Sequence, residues 1–490
     1  MWAEVQPHGV LWVAARREGT LSKGRLAIVM ALTTALWSGE VHAIDVHISA
    51  DTITQGYQLI ASDGDVIQRS RLNQFLGIGL YDMSGDGSNR YTFVTQMRFD
   101  SDFGITQADA QNIEQLKNNN LSVMYAYFDI RDVGGFLDMR LGRQLLVDQL
   151  DYTMMDGATF TFHTGKNFSI SVFGGSEVKN AGFLSVINST QLEVDGSGGF
   201  DGDIDDEIGI VLGASIALEG LREHHGNLIY RRIMTPLIND PANPGTKKVF
   251  VDTERIGGNY HWRIIPQLHL TTAWGYDIAI GDFTDIRAGL RAPKIADVLD
   301  IELFYWHLVP TFEGSSIFNI FSTEPINDVN LRLRYHFAKG VSAYVGGFIR
   351  LFGQGPDVRS SILANDDPAV TETITDFGAV AGARAQVGRY GRVALDANYV
   401  TGYGQQATID MRGGYGFLNG SLDLSGGVTT VVFDDELIDA LEDISFGAHL
   451  RLSYQIQEMA RFHVIAELNS NNIERVQYRM YGLIDLDFWL

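Results

Sequence analysis

From about residue 69 to the end of the chain, apolar and polar residues alternate in runs of roughly ten, each closed by a tight turn or a longer polar loop. Alternation with a period of two puts one residue set on each face of a strand. The clearest unit is Tyr127-Phe128-Asp129-Ile130-Arg131-Asp132-Val133, then Gly134-Gly135, then Phe136-Leu137-Asp138-Met139-Arg140-Leu141. Gly-Gly suits a two-residue hairpin turn. Such a turn sets Arg131 opposite Asp138 and Asp129 opposite Arg140, two complementary cross-strand pairs. Phe128, Ile130, Leu137, Met139 and Leu141 then take the other face. Leu331 to Tyr335 repeats the pattern, with arginines at 332 and 334, a turn at Lys339-Gly340 and a return through Val341 to Phe352. Tyr415 and Phe417 reach Asn419-Gly420 and return through Leu422 and Leu424 on the same face.

Short turns also stand at Lys166-Asn167, Arg263 to Pro266, Tyr390-Gly391 and Glu458-Met459. Longer, more acidic loops alternate with them, at 103–120, 149–157, 178–206, 235–248, 310–325, 353–371 and 433–442. Strands polar on one face and apolar on the other fit a wall whose outer face meets hydrocarbon. Lipid cannot satisfy an open sheet edge, so such a sheet must close. The expectation is an all-β chain, a closed antiparallel transmembrane β-barrel. About 20 or 21 strands lie between residues 69 and 490, with one more in 44–60; both ends on one side of the membrane require an even number, so about 20 to 22, or 18 if short segments such as 284–292 merge. A propeller would repeat recognisable blades of about 40 to 50 residues, and no such period is present.

The first 43 residues read differently. Lys23 and Arg25 precede an apolar stretch from Leu26 to Leu36, and Val41-His42-Ala43 places small residues at the −3 and −1 positions of a cleavage site. This is a leader and signal peptide over 1–43, removed on export, leaving 44–490 as one barrel domain. The stretch is too short to span a bilayer.

Composition narrows the picture. The 490 residues hold 53 Gly, 27 Phe, 19 Tyr, 7 Trp, 10 Pro and no Cys. Without cysteine there is no disulfide framework, thiolate metal site or c-type haem. The net charge of −23 argues against nucleic acid as a partner. An acidic surface suits divalent cations bridging to anionic lipopolysaccharide, and it equally serves the solubility of the loops.

The last strand is strongly amphipathic: Val476, Tyr478, Met480, Ile484, Leu486, Phe488 and Leu490 share one face, and Gln477, Arg479, Asp485 and Asp487 the other. Here the chain resembles the Gram-negative outer-membrane porin superfamily, whose members close with such a strand ending in an aromatic residue. This chain departs from that pattern by ending Phe488-Trp489-Leu490. The resemblance is architectural and covers most of the region after residue 43. It implies a location in the bacterial outer membrane, with the lipid bilayer and lipopolysaccharide as surroundings.

Candidate chemistry is sparse. The sequence holds no G-x-S-x-G, H-E-x-x-H or G-x-x-x-x-G-K-[ST] motif, and His224-His225 sits near a turn where histidines are commonplace. No enzyme is expected. Asp201, Asp203, Asp205 and Glu207 offer carboxylates at alternate positions, as Ca²⁺ prefers, but Asp206 stands where an EF-hand has glycine and Leu212 where it has glutamate. That stretch is a calcium candidate or a solvated loop; no other cofactor is indicated. Thr106-Gln107-Ala108-Asp109 and 434–441 read as helical inserts in loops.

By parity the lumen holds Asp129, Arg131, Asp138, Arg140, Arg332 and Arg334. Charged rings set ion preference in pores, and the same residues can pair to hold the wall together. Net acidity favours cations, while these arginines oppose reading selectivity from whole-chain charge. The first strands follow the export signal directly, so a separate plug domain and an energy-coupled transporter are not expected. The resemblance implies a porin passing ions and small hydrophilic solutes. The alternative is a scaffold or sheath around a periplasmic or lipoprotein partner, a cytochrome or an envelope complex.

Overall fold

A computed structural model describes residues 44–60, 66–84, 90–103, 119–165, 167–178, 193–194, 200–201, 209–239, 247–309, 325–353, 375–402, 404–434, 443–471 and 475–489. The alternating runs become long strands. In chain order these are β1 (Asp45–Ile60), β2 (Val66–Tyr81), β3 (Tyr91–Asp102), β4 (Asn119–Val133), β5 (Leu137–Val147), β6 (Tyr152–His163) and β7 (Phe168–Glu177). A separate two-residue pair, β8 (Glu193–Val194) and β9 (Phe200–Asp201), precedes β10 (Ile210–Leu221), β11 (His224–Asn239) and β12 (Lys247–Ile265). Then come β13 (Leu268–Asp277), β14 (Asp282–Ile295), β15 (Leu299–Leu308), β16 (Ile326–Ala338), β17 (Val341–Phe352) and β18 (Thr375–Val387). The last six are β19 (Gly391–Thr401), β20 (Gln405–Phe417), β21 (Leu422–Asp434), β22 (Asp443–Ile456), β23 (Ala460–Asn471) and β24 (Arg475–Trp489).

Every barrel strand pairs antiparallel with its neighbours, β7 with β10 across the intervening pair, and β1 with both β2 and β24. The sheet is therefore a closed barrel of 22 strands, the upper end of the expected range. At the seam Asp51 lies opposite Asp485, and His47 Nε2 meets Asp487 Oδ1 at 2.7 Å while its ring stacks on Trp489. Both chain ends of the barrel lie on the side of the short turns, such as 134–136, 222–223, 266–267 and 339–340; the long connections 103–118, 178–209, 309–325 and 353–374 lie on the other. That asymmetry marks the periplasmic and extracellular ends. The segment 149–157 is not a long loop, because β6 already begins at Tyr152, and residues 284–292 form most of β14 rather than merging with a neighbour.

The faces separate as the pattern requires. On β16, Val329, Leu331, Leu333, Tyr335 and Phe337 are exposed on one face, and the alternating set runs Asp328, Asn330, Arg332, Arg334 and His336. On β24, Val476, Tyr478, Met480 and Ile484 are exposed and Gln477 is buried. Contacts that skip over intervening strands, described below, come from the polar face, so that face is the interior. Aromatic side chains cluster at both ends of the outer face, Tyr335, Phe337, Tyr415 and Phe417 near the short turns and Phe377, Tyr399, Phe446 and Tyr478 near the long loops. These are the two girdles of a membrane barrel.

The outer wall carries a bidentate ion pair. Arg143 on β5 and Asp156 on β6 share the outward parity of Leu141 and Phe162. Arg143 Nε and Nη2 donate to the two Asp156 oxygens at 2.8 and 2.7 Å, and Nη1 donates to the Val123 carbonyl at 3.1 Å. Against hydrocarbon, mutual neutralisation is what makes these charges tolerable.

Candidate functional site: the inner wall

Side chains on the inner wall lie within arginine's reach of carboxylates on the same or the next strand, because cross-strand neighbours sit about 5 Å apart. Arg98 and Asp100 pair at 2.8 Å, Arg287 and Asp285 at 3.0 Å, Arg291 and Glu302 at 3.1 Å, and Arg350 and Asp328 at 3.1 Å.

The hairpin read from sequence is present with one difference. Asp129 does lie opposite Arg140. A bulge between Ile130 and Val133, with Asp132 at φ 57°, breaks the ladder before Arg131 can face Asp138. Arg131 instead pairs with Asp129 of its own strand at 3.0 Å, where Arg140 also reaches at 3.4 Å. Asp138 accepts the Asp132 N–H at 2.7 Å and meets His163 at 2.9 Å. Arg332 and Arg334 lie over the Tyr344 ring, 5.1 and 6.0 Å from its centroid, and the Tyr344 hydroxyl donates to Asp396 at 2.6 Å.

The calcium candidate falls largely outside the described residues, which include Asp201 only as the end of β9 and omit Asp203, Asp205 and Glu207. The helical inserts read over 106–116 and 435–441 are outside them too. His224 Nδ1 lies 2.6 Å from the Tyr260 hydroxyl, and the His225 and His261 rings stack at 6.4 Å. Among the described residues no group of three or more His, Cys, Asp or Glu is placed to hold a metal.

The largest feature missed by pattern reading is the tip of the β5–β6 hairpin, Asp148 to Asp151. It leans across β7 and β10 to the far strands. Asp148 Oδ2 and Asp151 both take Arg231 of β11, the first at 3.2 Å. Asp151 also takes Arg255 of β12 at 3.0 Å, and Gln149 donates to Asp285 of β14 at 3.3 Å. Leu150 packs with Leu146 over a buried cluster of Met155, Phe173, Val211, Ile229 and Ile233. A Cβ on Gly257 would come within 2.6 Å of Leu150, so glycine there makes the notch that receives it. Arg231 is only 2% exposed. Burial pushes the Asp148 carboxyl above the usual carboxylate range, opposed by the Arg231 guanidinium and the Leu150 N–H.

No protein-family model matches the chain, and no curated protein matches it by sequence. Among solved structures it is similar to a mutant of the ferric enterobactin receptor (PfeA) of Pseudomonas aeruginosa, at 8% identity and TM-score 0.54, covering 91% of this chain and 81% of that one. The fold is that of an outer-membrane β-barrel. Matches of lower overlap include OccK9 (OpdG) of Pseudomonas aeruginosa, at 10% identity over 92% of this chain and 100% of that one, TM-score 0.44. A BenF-like porin of Pseudomonas fluorescens Pf-5 matches at 7% identity over 92% and 100%, TM-score 0.41. With an apolar outer belt between two aromatic girdles, this barrel is a multi-pass protein of the bacterial outer membrane.

Proposed function

We propose that the barrel is a channel for ions and small hydrophilic solutes, its pore lined by Asp129, Arg131, Asp138, Arg140, Arg332 and Arg334 among others. One observation carries this reading: outside the apolar patch covered by the β5–β6 tip, the inner wall of a closed 22-stranded sheet is lined by polar and charged side chains, many of which neutralise one another within the wall. A barrel of this width has room for a lumen. The inward β5–β6 tip narrows that lumen from one side.

The test is single-channel recording of the refolded protein in a planar bilayer, with swelling of proteoliposomes in small sugars as a second readout. Stable ohmic steps and swelling are expected. A correctly inserted barrel that neither conducts nor lets vesicles swell would overturn the channel reading in favour of a sheath around a partner.

A further inference from the structure

Charge compensation fails on one stretch of the inner wall. At its periplasmic end, β18 to β22 enclose a recess of about 910 Å³ lined by Arg384, Arg389, Arg392, Arg412 and Arg451, with His449 and a single carboxylate, Asp423. That volume lies within the range of sites that take small organic ligands. Two of the five guanidinium groups are answered: Arg392 donates to both Asp423 oxygens at 2.9 and 2.8 Å, and Arg412 is held by Asp396 and Asp410 behind the recess.

The other three are in no ion pair among the described residues. Arg389 lies over the Tyr390 ring, 5.2 Å from its centroid. Arg451 donates to Ser453 Oγ at 3.0 Å and to His463 Nδ1 at 3.2 Å, both neutral partners. Arg384 is exposed into the recess. The floor is kept flat by glycine. A Cβ on Gly414 would stand 3.2 Å from the Arg392 guanidinium carbon, and one on Gly427 would stand 2.7 Å from the His449 ring and 2.9 Å from Arg412 Cγ. Side chains there would push these groups off the wall and fill the space.

We propose that this recess is an oxyanion-binding subsite, taking the carboxylate or phosphate group of a small solute on Arg384, Arg389 and Arg451. Three cations lining one polar hollow, none of them in an ion pair among the described residues, are what a planar or tetrahedral oxyanion needs for several charge-assisted hydrogen bonds. The local sign is opposite to that of the whole chain, whose net charge is −23. The subsite deepens the channel reading, on which it rests for the solute's route through the lumen, but binding itself does not require conduction.

The test is equilibrium binding of inorganic phosphate to the refolded barrel in detergent at fixed ionic strength, followed by phosphorus NMR line broadening, with succinate as competitor. Folding of each variant is checked by heat-modifiable electrophoretic mobility. Saturable binding is expected in the wild type, with at least a tenfold loss in Arg384→Gln/Arg451→Gln. These residues are chosen because their removal leaves no acid unpaired. Arg287→Gln, on β14 four strands away from the recess, should bind as the wild type does. Competition by succinate would assign a general oxyanion subsite, and binding without competition a phosphate subsite; either supports the proposal. Absence of saturable binding to folded wild type, or equal binding by the double variant, would overturn it. A barrel that binds phosphate yet conducts nothing would sink the channel reading and leave the subsite standing.

Discussion

Replacing Asp148 and Asp151 together by alanine is expected to destabilise the docked β5–β6 tip by about 3–5 kcal/mol, the range for removing one side of a buried ion pair. Arg231 is 2% exposed and would keep its charge without either carboxylate that pairs with it among the described residues, while Arg255 would lose Asp151 and keep Asp277, at 3.1 Å. The chain relieves this most easily by letting the tip leave the wall, which pulls Leu150 from its notch at Gly257. Amide hydrogen exchange at residues 148–151 should rise by two or more orders of magnitude, about 1.4 kcal/mol per factor of ten. Single-channel conductance should rise with it, because the inward obstruction is gone. Replacing the whole set with apolar groups, Asp148→Leu, Asp151→Leu and Arg231→Met, should recover much of the protection, since what costs free energy is the orphaned charge rather than the missing pair. Unchanged exchange in the double alanine variant would show that apolar packing alone holds the tip.

The second large effect is on the outer wall. Asp156→Ala leaves Arg143 facing lipid with only the Val123 carbonyl as acceptor. An unpaired arginine on the lipid face of a barrel costs about 2–4 kcal/mol near the bilayer midplane. Equilibrium unfolding by guanidinium in phosphatidylcholine vesicles should show a loss of that size, while Arg143→Leu/Asp156→Leu should match or exceed the wild type. With Arg143→Leu and Asp156→Leu as the single variants, the cycle that closes on the double gives the coupling directly. A loss below about 0.5 kcal/mol for Asp156→Ala, the scale of ordinary surface substitutions, would mean that Arg143 reaches the headgroup region and is solvated there.

Period-two alternation carried most of the architecture. It set the faces of β16, β20 and β24, and it set the register across Asn419-Gly420, where Phe417 does face Leu422 even though the turn spans 418–421. It also gave the inward parity of Asp129 and Arg140. Wherever the ladder is interrupted, alternation gave the wrong partner: the bulge at Asp132 separates Arg131 from Asp138. It was silent on the hairpin tip. Nothing near Asp148 announces Arg231, 83 residues away, or the Gly257 notch, because only closure of the sheet brings those strands opposite one another. The basic recess was hidden for the same reason. Its arginines are spread from 384 to 451, each ordinary within its own strand, and their excess over carboxylates exists only once five strands stand side by side.

The seam has a consequence for biogenesis. His47 and Asp487 are 440 residues apart and meet at 2.7 Å, so the last strand to emerge must find the first. Until then both terminal strands present unpaired backbone donors and acceptors, the templates on which chains pair with the wrong neighbour. Closing so long a loop is entropically slow to nucleate, though each doubling of its length adds only about 0.6 kcal/mol. The dangerous interval is therefore set by time rather than by stability. A chaperone or insertion machine for this chain has to hold β1 and β24 apart from other chains until they can join.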